Sequence, residues 1–350
     1  MPLFNFPSQE LVTRLVDKHS FDPAYFVTPK FMPVDAETCN NSPALVMWDV
    51  LEPTRGMTKL SALGADPVLV PRRVRETKMA APLYWRESME IGEKELINAR
   101  RLGTNFERAG EMLVTDAVFS LNRRIDTLIE RLNFEALSGS ISEVDANGAT
   151  VSVDYGFNPK NLPDVKNDAG YGGYYWSDAT NATVIDDIYK AVEALAGSGY
   201  TAIKMIAGRE VMAMIAKNAQ VKGLLAGSAF VNQIGTSNLV QFLPQLIGAG
   251  IDEIIPSTQY YQEDNGDPKP FADANKCYLI GTAPGQQLGA FMSTPNIYGE
   301  IGEGAKGGRF AKINYHEFDS EIPRVTVTGG IFGLPVLFRP DMVVTMTVAE

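Results

Sequence analysis

The run Tyr315-His316-Glu317-Phe318-Asp319-Ser320 sets a histidine, two carboxylates and a serine side by side. Those are the residue types of a hydrolytic triad, in which histidine takes a proton from a hydroxyl nucleophile and a carboxylate orients the histidine. Adjacency works against that chemistry, because triad members come from separate elements that converge in space. A surface histidine explains the run more simply. The only other histidine, His19, lies in the proline-rich N-terminal stretch. Gly302-Glu303-Gly304-Ala305-Lys306-Gly307 spells G-x-G-x-x-G, yet no strand leads into it and no helix follows at the spacing a pyrophosphate turn needs. With Gly299 and Gly308 it reads as a flexible loop. No G-x-S-x-G, H-E-x-x-H, Walker A or EF-hand string occurs. Two cysteines, Cys39 and Cys277, make neither a disulfide framework nor a four-cysteine metal site, and a reduced compartment fits them. The expectation is a protein that is not an enzyme, with no catalytic, cofactor-binding or metal residue assigned.

The bulk properties agree with a soluble globular chain. It has 350 residues, 45% hydrophobic and 21% charged, enough for two or three subdomains around a sizeable core. Its 31 basic and 42 acidic residues leave a net charge of −11. A general nucleic-acid binder would need the opposite sign to neutralise phosphates. Met1-Pro2-Leu3-Phe4-Asn5-Phe6-Pro7 has no basic or long apolar signal region, so the Asn181-Ala182-Thr183 sequon carries no weight. No apolar run reaches the ~20 residues a bilayer span needs. The greasiest stretch, 327–338, is interrupted by Gly329, Gly330, Gly333 and Pro335.

One element is long for its surroundings. Thr104-Asn105-Phe106-Glu107 is a capping box, and Gly139 is placed to stop the helix it starts. Over 105–137 only Gly110 interrupts good helix formers, which predicts a rod on the order of 50 Å. Val114, Val118, Leu121, Ile125, Leu128 and Leu132 form a heptad seam, and a coiled coil is a rival reading. Leu113, Ala117, Ile129 and Ala136 widen the stripe, which favours a helix packed along a sheet.

Before the rod, an amphipathic stretch over 9–18 is followed by Pro23, Pro29, Pro33 and Pro43. That density forbids a continuous helix and suggests an arm lying on some other surface. Phe21, Tyr25, Phe26 and Phe31 argue against a disordered tail. Arg72-Arg73-Val74-Arg75-Glu76-Thr77-Lys78-Met79 is a strand-length run with almost nothing to bury. It needs a surface, either another subunit or the solvated edge of a sheet. After the rod come a turn at Asp145-Ala146-Asn147-Gly148 with a strand at 151–153. A Gly/Tyr-rich loop over 170–176 reads as an ordering or contact loop. Then follow a helix at 183–196, a strand at 200–207 and a helix at 208–225 with Val211, Ile215, Leu224 and Leu225 inward. A strand at 251–256 precedes segments 258–261 and 277–281, which flank a long hairpin tipped by Asn265-Gly266. Two closing strands, 324–328 and 342–348, end the chain.

This order of features resembles the lambda-type major capsid proteins of tailed phages, the major capsid protein E family with the Hong Kong 97-type fold. Phe21-Asp22-Pro23 with Phe31 and Pro33 resembles the family's arm. Arg72 to Pro82, then Tyr84, Ile91 and Leu96, resembles its extended loop and return, and 114–137 its spine helix. Val153-Asp154 and Trp176-Ser177 resemble the segment after it. Tyr260 to Gly281 with Phe271-Ala272-Asp273-Ala274-Asn275 is similar to the axial hairpin, and Phe338-Arg339-Pro340-Asp341 to the tail.

The resemblance implies an α+β capsid fold in five parts. They are an N-terminal arm (1–45), an extended loop (46–95), a peripheral domain (96–177) with a spine helix at 105–137, an axial domain (178–315) and returning C-terminal strands (316–350). It implies the major head protein of a tailed double-stranded DNA phage or prophage, assembling with itself into hexamers and pentamers of an icosahedral shell. Its expected partners are a separate scaffold protein, since the chain starts almost at the arm, a portal protein and a decoration protein. Packaged DNA would be enclosed without sequence-specific binding, and no membrane or cofactor is involved. Its place would be the virion, and the host bacterial cytoplasm during assembly. Candidate inter-subunit residues are Arg72, Arg73, Arg75, Lys78, Phe21, Tyr25 and Phe31. Ala80-Ala81-Pro82 stands where the family often has a glycine-proline turn, and no lysine–asparagine crosslink pair is mapped. An encapsulin-type compartment shell is the rival within the fold, and an enzyme using the carboxylates around His316 the rival outside it.

Overall fold

The computed structural model describes residues 7–22, 24–35, 45–51, 75–92, 107–144, 150–200, 202–226, 250–263, 266–282, 285–295, 308–316 and 324–350, with a few isolated positions between them. The chain divides into two compact units. The first comprises Met1–Met47, Met79–Asn133 and Ala290–Val336; the second comprises Trp48–Lys78, Phe134–Gly289 and Leu337–Glu350.

In the first unit a helix lies on a sheet. The sheet runs in the order β1 (Val34–Asp35), β12 (Gly289–Ser293), β14 (Arg324–Leu337), β13 (Arg309–His316), and β4 (Leu83–Gly92) also pairs with β14. β14 is antiparallel to β13, from Arg309↔Ile331 to His316↔Arg324, and to β4, from Arg324↔Gly92 to Gly333↔Leu83. The sequence suggested breaks at Gly329, Gly330, Gly333 and Pro335; instead the strand is continuous through all four. Close packing explains the glycines. A Cβ at Gly330 would overlap the Trp85 carbonyl oxygen and the Phe310 ring, and one at Gly333 would overlap the Met292 carbonyl oxygen.

The long helix, α3 (Glu107–Leu137), has 31 residues. Thr104 and the rest of the capping box before Glu107 lie outside the described residues. At its other end Gly139 has φ 102°, the left-handed conformation that ends helices, and donates to the Ala136 carbonyl at 3.0 Å. Val114, Ala117, Val118 and Leu121 of α3 share one core with Val12 and Val16 of α1 (Gln9–Asp17), Ile91, Ala311, Ile313, Val325 and Val327. Each valine, leucine or isoleucine among them contributes about 1.5–3 kcal/mol by leaving water. The stripe therefore serves a sheet, not a second coiled-coil strand.

The second unit is built on the sheet β15 (Val343–Thr347), β11 (Lys276–Thr282), β7 (Ala202–Gly208), β8 (Ile251–Ser257), antiparallel except for the parallel β7–β8 pair. Helix α4 (Val184–Ser198) buries Ile188, Ala191 and Leu195. The single helix expected over 208–225 is two, α5 (Arg209–Lys217) and α6 (Ala219–Ala226). Asn218 breaks it: its backbone is extended, its Oδ1 accepts from the Gln220 N–H at 2.9 Å, and its Nδ2 donates to the Ala182 carbonyl at 2.9 Å. The break resets the helical face. Val211 and Ile215 are buried as expected, but Val221 takes the inward place and Leu224 is 46% exposed. The long hairpin is also shorter than expected. β9 (Tyr260–Gln262) closes on β10 (Pro268–Pro270), with Gly266 at φ 87°, while Cys277 to Gly281 pair in the main sheet. A further hairpin joins β5 (Ser140–Val144) and β6 (Thr150–Asp154).

Candidate assembly surfaces

The N-terminal segment is held by polar side chains that the apolar reading of α3 passed over. Asn122, Asp126, Glu130 and Asn133 are spaced 4, 4 and 3, so they share one helical face, and each is at most 2% exposed. Buried ions are costly unless paired, so each carboxylate needs partners. Asp126 Oδ2 meets His19 Nε2 at 2.8 Å, and its Oδ1 meets the Arg309 guanidinium. Burial lowers the pKa of Arg309, with Asp126 pulling the other way. The same guanidinium sits 4.7 Å over the Phe21 ring, which meets Tyr25 edge-on at 6.5 Å. The Tyr25 hydroxyl lies 2.8 Å from Thr127 Oγ1.

Glu130 serves α2 (Val27–Lys30). It accepts from the Val27 N–H at 2.9 Å, the Thr28 N–H at 2.9 Å and the Thr28 hydroxyl at 2.6 Å. Those are the donors a helix start leaves unpaired. Asn133 Nδ2 donates to Thr28 Oγ1 at 2.8 Å. Upstream, Gln9 Nε2 donates to the Ala311 carbonyl at 2.6 Å, and Gln9 Oε1 accepts from the Ile313 N–H at 3.1 Å, which joins α1 to the edge of β13. The described part of the expected arm thus docks on its own chain rather than on some other surface. Phe31 is 6% exposed there, and Phe21 and Tyr25 are half-buried. The sequence signal for this seat was present in the 4-4-3 polar spacing.

A second surface is open. β3 (Arg75–Ala80) pairs with β2 (Val46–Leu51) in a two-stranded ribbon. β2 alternates, with Val46, Trp48 and Val50 buried, whereas no residue of β3 is buried. Thr77 donates from its hydroxyl to Asp49 Oδ1 at 2.7 Å, and Lys78 Nζ donates to the Tyr155 carbonyl at 2.8 Å. Arg75 is 71% exposed and stands 4.0 Å from Asp49, a pair worth little at that exposure. Arg72 and Arg73 lie outside the described residues.

The aromatic loop over 170–176 orders its own unit. Trp176 is fully buried and donates from Nε1 to Asp187 Oδ2 at 2.9 Å, while the Gly172 N–H donates to Oδ1 at 2.8 Å. Burial holds the Asp187 carboxyl above its usual range and pushes Tyr171 up to about 12. Lys190 lies 5.9 Å over the Tyr171 ring. His316 ends β13, but its side chain, residues 317–320 and the glycine run 302–307 lie outside the described residues. Among the described residues no trio of histidine, cysteine or carboxylate is placed to hold a metal, and no helix is long and apolar enough to cross a membrane.

The fold has solved counterparts. A phage-related protein from Bordetella bronchiseptica RB50 matches with a TM-score of 0.57 at 11% identity, over 97% of this chain and 97% of that one. A prophage protein of Escherichia coli CFT073, described as a candidate capsid protein, matches at 0.56 and 17% identity, over 98% and 94%. The capsid structure of cyanophage P-SCSP1u matches at 0.50 and 9% identity, over 95% and 90%. No curated protein sequence matches the chain. The profile of the phage major capsid protein E family matches residues 37–348. A helix laid on a sheet and that match over most of the chain lead to one assignment: the chain belongs to the phage major capsid protein E family and is a phage head shell protein.

Proposed function

We propose that this chain builds the icosahedral head of a tailed double-stranded DNA phage or prophage, as hexamers and pentamers, and has no catalytic activity of its own. The observation that carries the reading is the β2–β3 ribbon. β2 buries Val46, Trp48 and Val50, whereas no residue of its partner strand β3 is buried in the single chain, which leaves β3 as the strand a neighbouring subunit would cover. Arg72, Arg73, Arg75 and Lys78 on or beside that strand are the residues we assign to contacts with acidic neighbours. Phe21, Tyr25 and Phe31 support assembly by fixing the docked N-terminal segment as part of the surface a neighbour meets. The net charge of −11 suits a wall that encloses DNA without gripping it. Assembly in the host cytoplasm would draw on a scaffold protein and a portal protein, with a decoration protein clamping the outside. The family match favours a phage head over a cargo compartment.

Negative-stain electron microscopy of the purified chain, with size-exclusion elution alongside, tests the reading. Rings, tubes or closed particles are expected. A monomer or dimer that persists when the scaffold is co-expressed overturns it. Reversing Arg72, Arg73 and Arg75 together to glutamate is expected to stop closure while leaving the chain folded; normal shells from that variant remove the ribbon from the account.

A further inference from the structure

β13 is the last strand of its sheet, and among the described residues β14 is the only strand beside it. An open edge offers its outward N–H and C=O groups to any strand that arrives. Here a side chain holds those groups. Gln9 Nε2 donates to the Ala311 carbonyl at 2.6 Å, and Gln9 Oε1 accepts from the Ile313 N–H at 3.1 Å. One amide thus serves the C=O and the N–H of residues two apart, as a peptide group of a parallel strand does. Beside it the Tyr315 hydroxyl donates to the Pro7 carbonyl at 2.7 Å. Ser8 sets the place of Gln9. Its hydroxyl accepts from the Leu11 N–H at 3.3 Å as the N-cap of α1, which makes Gln9 the first helical residue. Val12 and Val16, further along α1, share a core with Ala311 and Ile313 and hold the helix against the strand.

We propose that Gln9 and α1 guard the β13 edge, an autoinhibitory contact that keeps this strand from pairing antiparallel with β13 of a second copy. The inference concerns the free subunit and does not rest on the shell reading. β13 has eight residues, and its edge is self-complementary in a register centred on Ile313. Strand alternation turns Ala311, Ile313 and Tyr315 outward together. In that register Ile313 meets Ile313 and Ala311 meets Tyr315, so all three outward residues are used. Lys312 falls opposite Asn314, and Arg309 stays with Asp126. Centring the pair on Lys312 instead would set ammonium against ammonium. The guard also gives a reason for the residue type at position 9. A neutral amide carries one donor and one acceptor group, whereas a carboxylate would set oxygen against the Ala311 carbonyl.

The test compares full-length variants as dilute free subunits, separated from any assembled particles by size exclusion. Gln9→Ala is expected to speed hydrogen exchange at the Ile313 amide roughly tenfold, the loss of two hydrogen bonds of ordinary net strength. Gln9→Ala/Val12→Ala, which also loosens α1, is expected to dimerise at a concentration about tenfold lower than wild type in analytical ultracentrifugation. In that dimer the Ala311 and Ile313 amides are slow together. Adding Asn314→Lys, on the exposed face of the strand, sets a second ammonium opposite Lys312 and is expected to return the double variant to monomer. Circular dichroism and urea midpoints establish that each variant is folded. Gln9→Ala/Tyr315→Phe removes all three edge bonds while sparing the apolar core, and it takes the place of the double variant if that one does not fold. Unchanged exchange at Ile313 in Gln9→Ala overturns the guard. A folded double variant no more dimeric than wild type, or a dimer that Asn314→Lys leaves intact, overturns the pairing it is proposed to prevent.

Discussion

Replacing Glu130 with alanine removes the acceptor that four donors of the N-terminal segment share. Glu130 is fully buried, and it receives the Val27 N–H, the Thr28 N–H and the Thr28 hydroxyl at 2.6 to 2.9 Å and the Phe26 N–H at 3.3 Å. Hydrogen bonds to a charged group contribute about 1.5–3 kcal/mol each, and orphaned buried donors keep their full desolvation cost. A simple sum overshoots, because the segment can lift away and let its donors meet water. The loss then stops at the free energy of undocking. We therefore expect about 3–5 kcal/mol, the range for breaking a buried charged network by removing one partner. Native-state hydrogen exchange at Val27 and Thr28 reads the opening directly, with a urea titration of the whole chain alongside. Glu130→Gln keeps one acceptor but turns an NH2 toward the donors, so it should fall between wild type and alanine. Asp116→Ala, on the exposed side of the same helix, is the control and should stay within about 0.5 kcal/mol. If Glu130→Ala matches that control, and Val27 and Thr28 exchange as in wild type, the seat does not hold the segment.

Two further perturbations test the packing and the electrostatics of single sites. Asp187→Asn keeps an acceptor for Trp176 but turns a donor toward the Gly172 N–H, so it should destabilise the chain at low pH. Because burial raises the folded pKa of Asp187, its favourable contribution is complete below the ordinary aspartate value and is lost as pH rises through the folded one. The penalty of Asp187→Asn should therefore shrink from about pH 3.5 to pH 7, measured as urea midpoints across that range; a penalty that grows with pH reverses the sign argued here. Gly330→Ala meets the Trp85 carbonyl and the Phe310 ring and should cost about 3 kcal/mol. Gly197→Ala in α4 meets nothing within 4 Å and should stabilise by about 0.5–1 kcal/mol. Equal thermal shifts for the two glycine variants would refute the close approach at β14.

What could be read from the chain was what depends on neighbours in sequence. Val12 and Val16 in α1, and the stripe from Val114 to Leu132 in α3, repeat at helical period, and the structure buries both runs apart from half-buried Leu128. Gly139 stops α3 because a left-handed residue is a local event. Three features escaped because their causes lie far away in sequence. Gly330 and Gly333 look like breaks until the Phe310 ring and the Met292 carbonyl are laid against them. Asn218 looks like a mid-helix residue until Ala182, 36 positions earlier, takes its amide. Glu130 looks like a solvent residue until Thr28, 102 positions earlier, comes to it.

The polar seat on α3 also explains why so short a helix as α2 forms. Four residues cannot hold a helix by themselves, since one turn does not repay the entropy of nucleation. Glu130 supplies the missing partners from outside, and Val27 and Met32, both fully buried, supply the apolar anchor beside them. An apolar seat would give comparable stability but would accept the segment in several registers, because dispersion contacts carry little direction. Two carboxylates with fixed donors accept one. Asp126 takes His19 and Arg309, Glu130 takes residues 27 and 28, and the seven residues between His19 and Val27 include Phe21, whose ring lies against the Arg309 guanidinium and meets Tyr25 edge-on. A subunit whose neighbours must all meet the same outer surface needs that single register more than it needs extra stability, which is the physical case for burying charge along this helix.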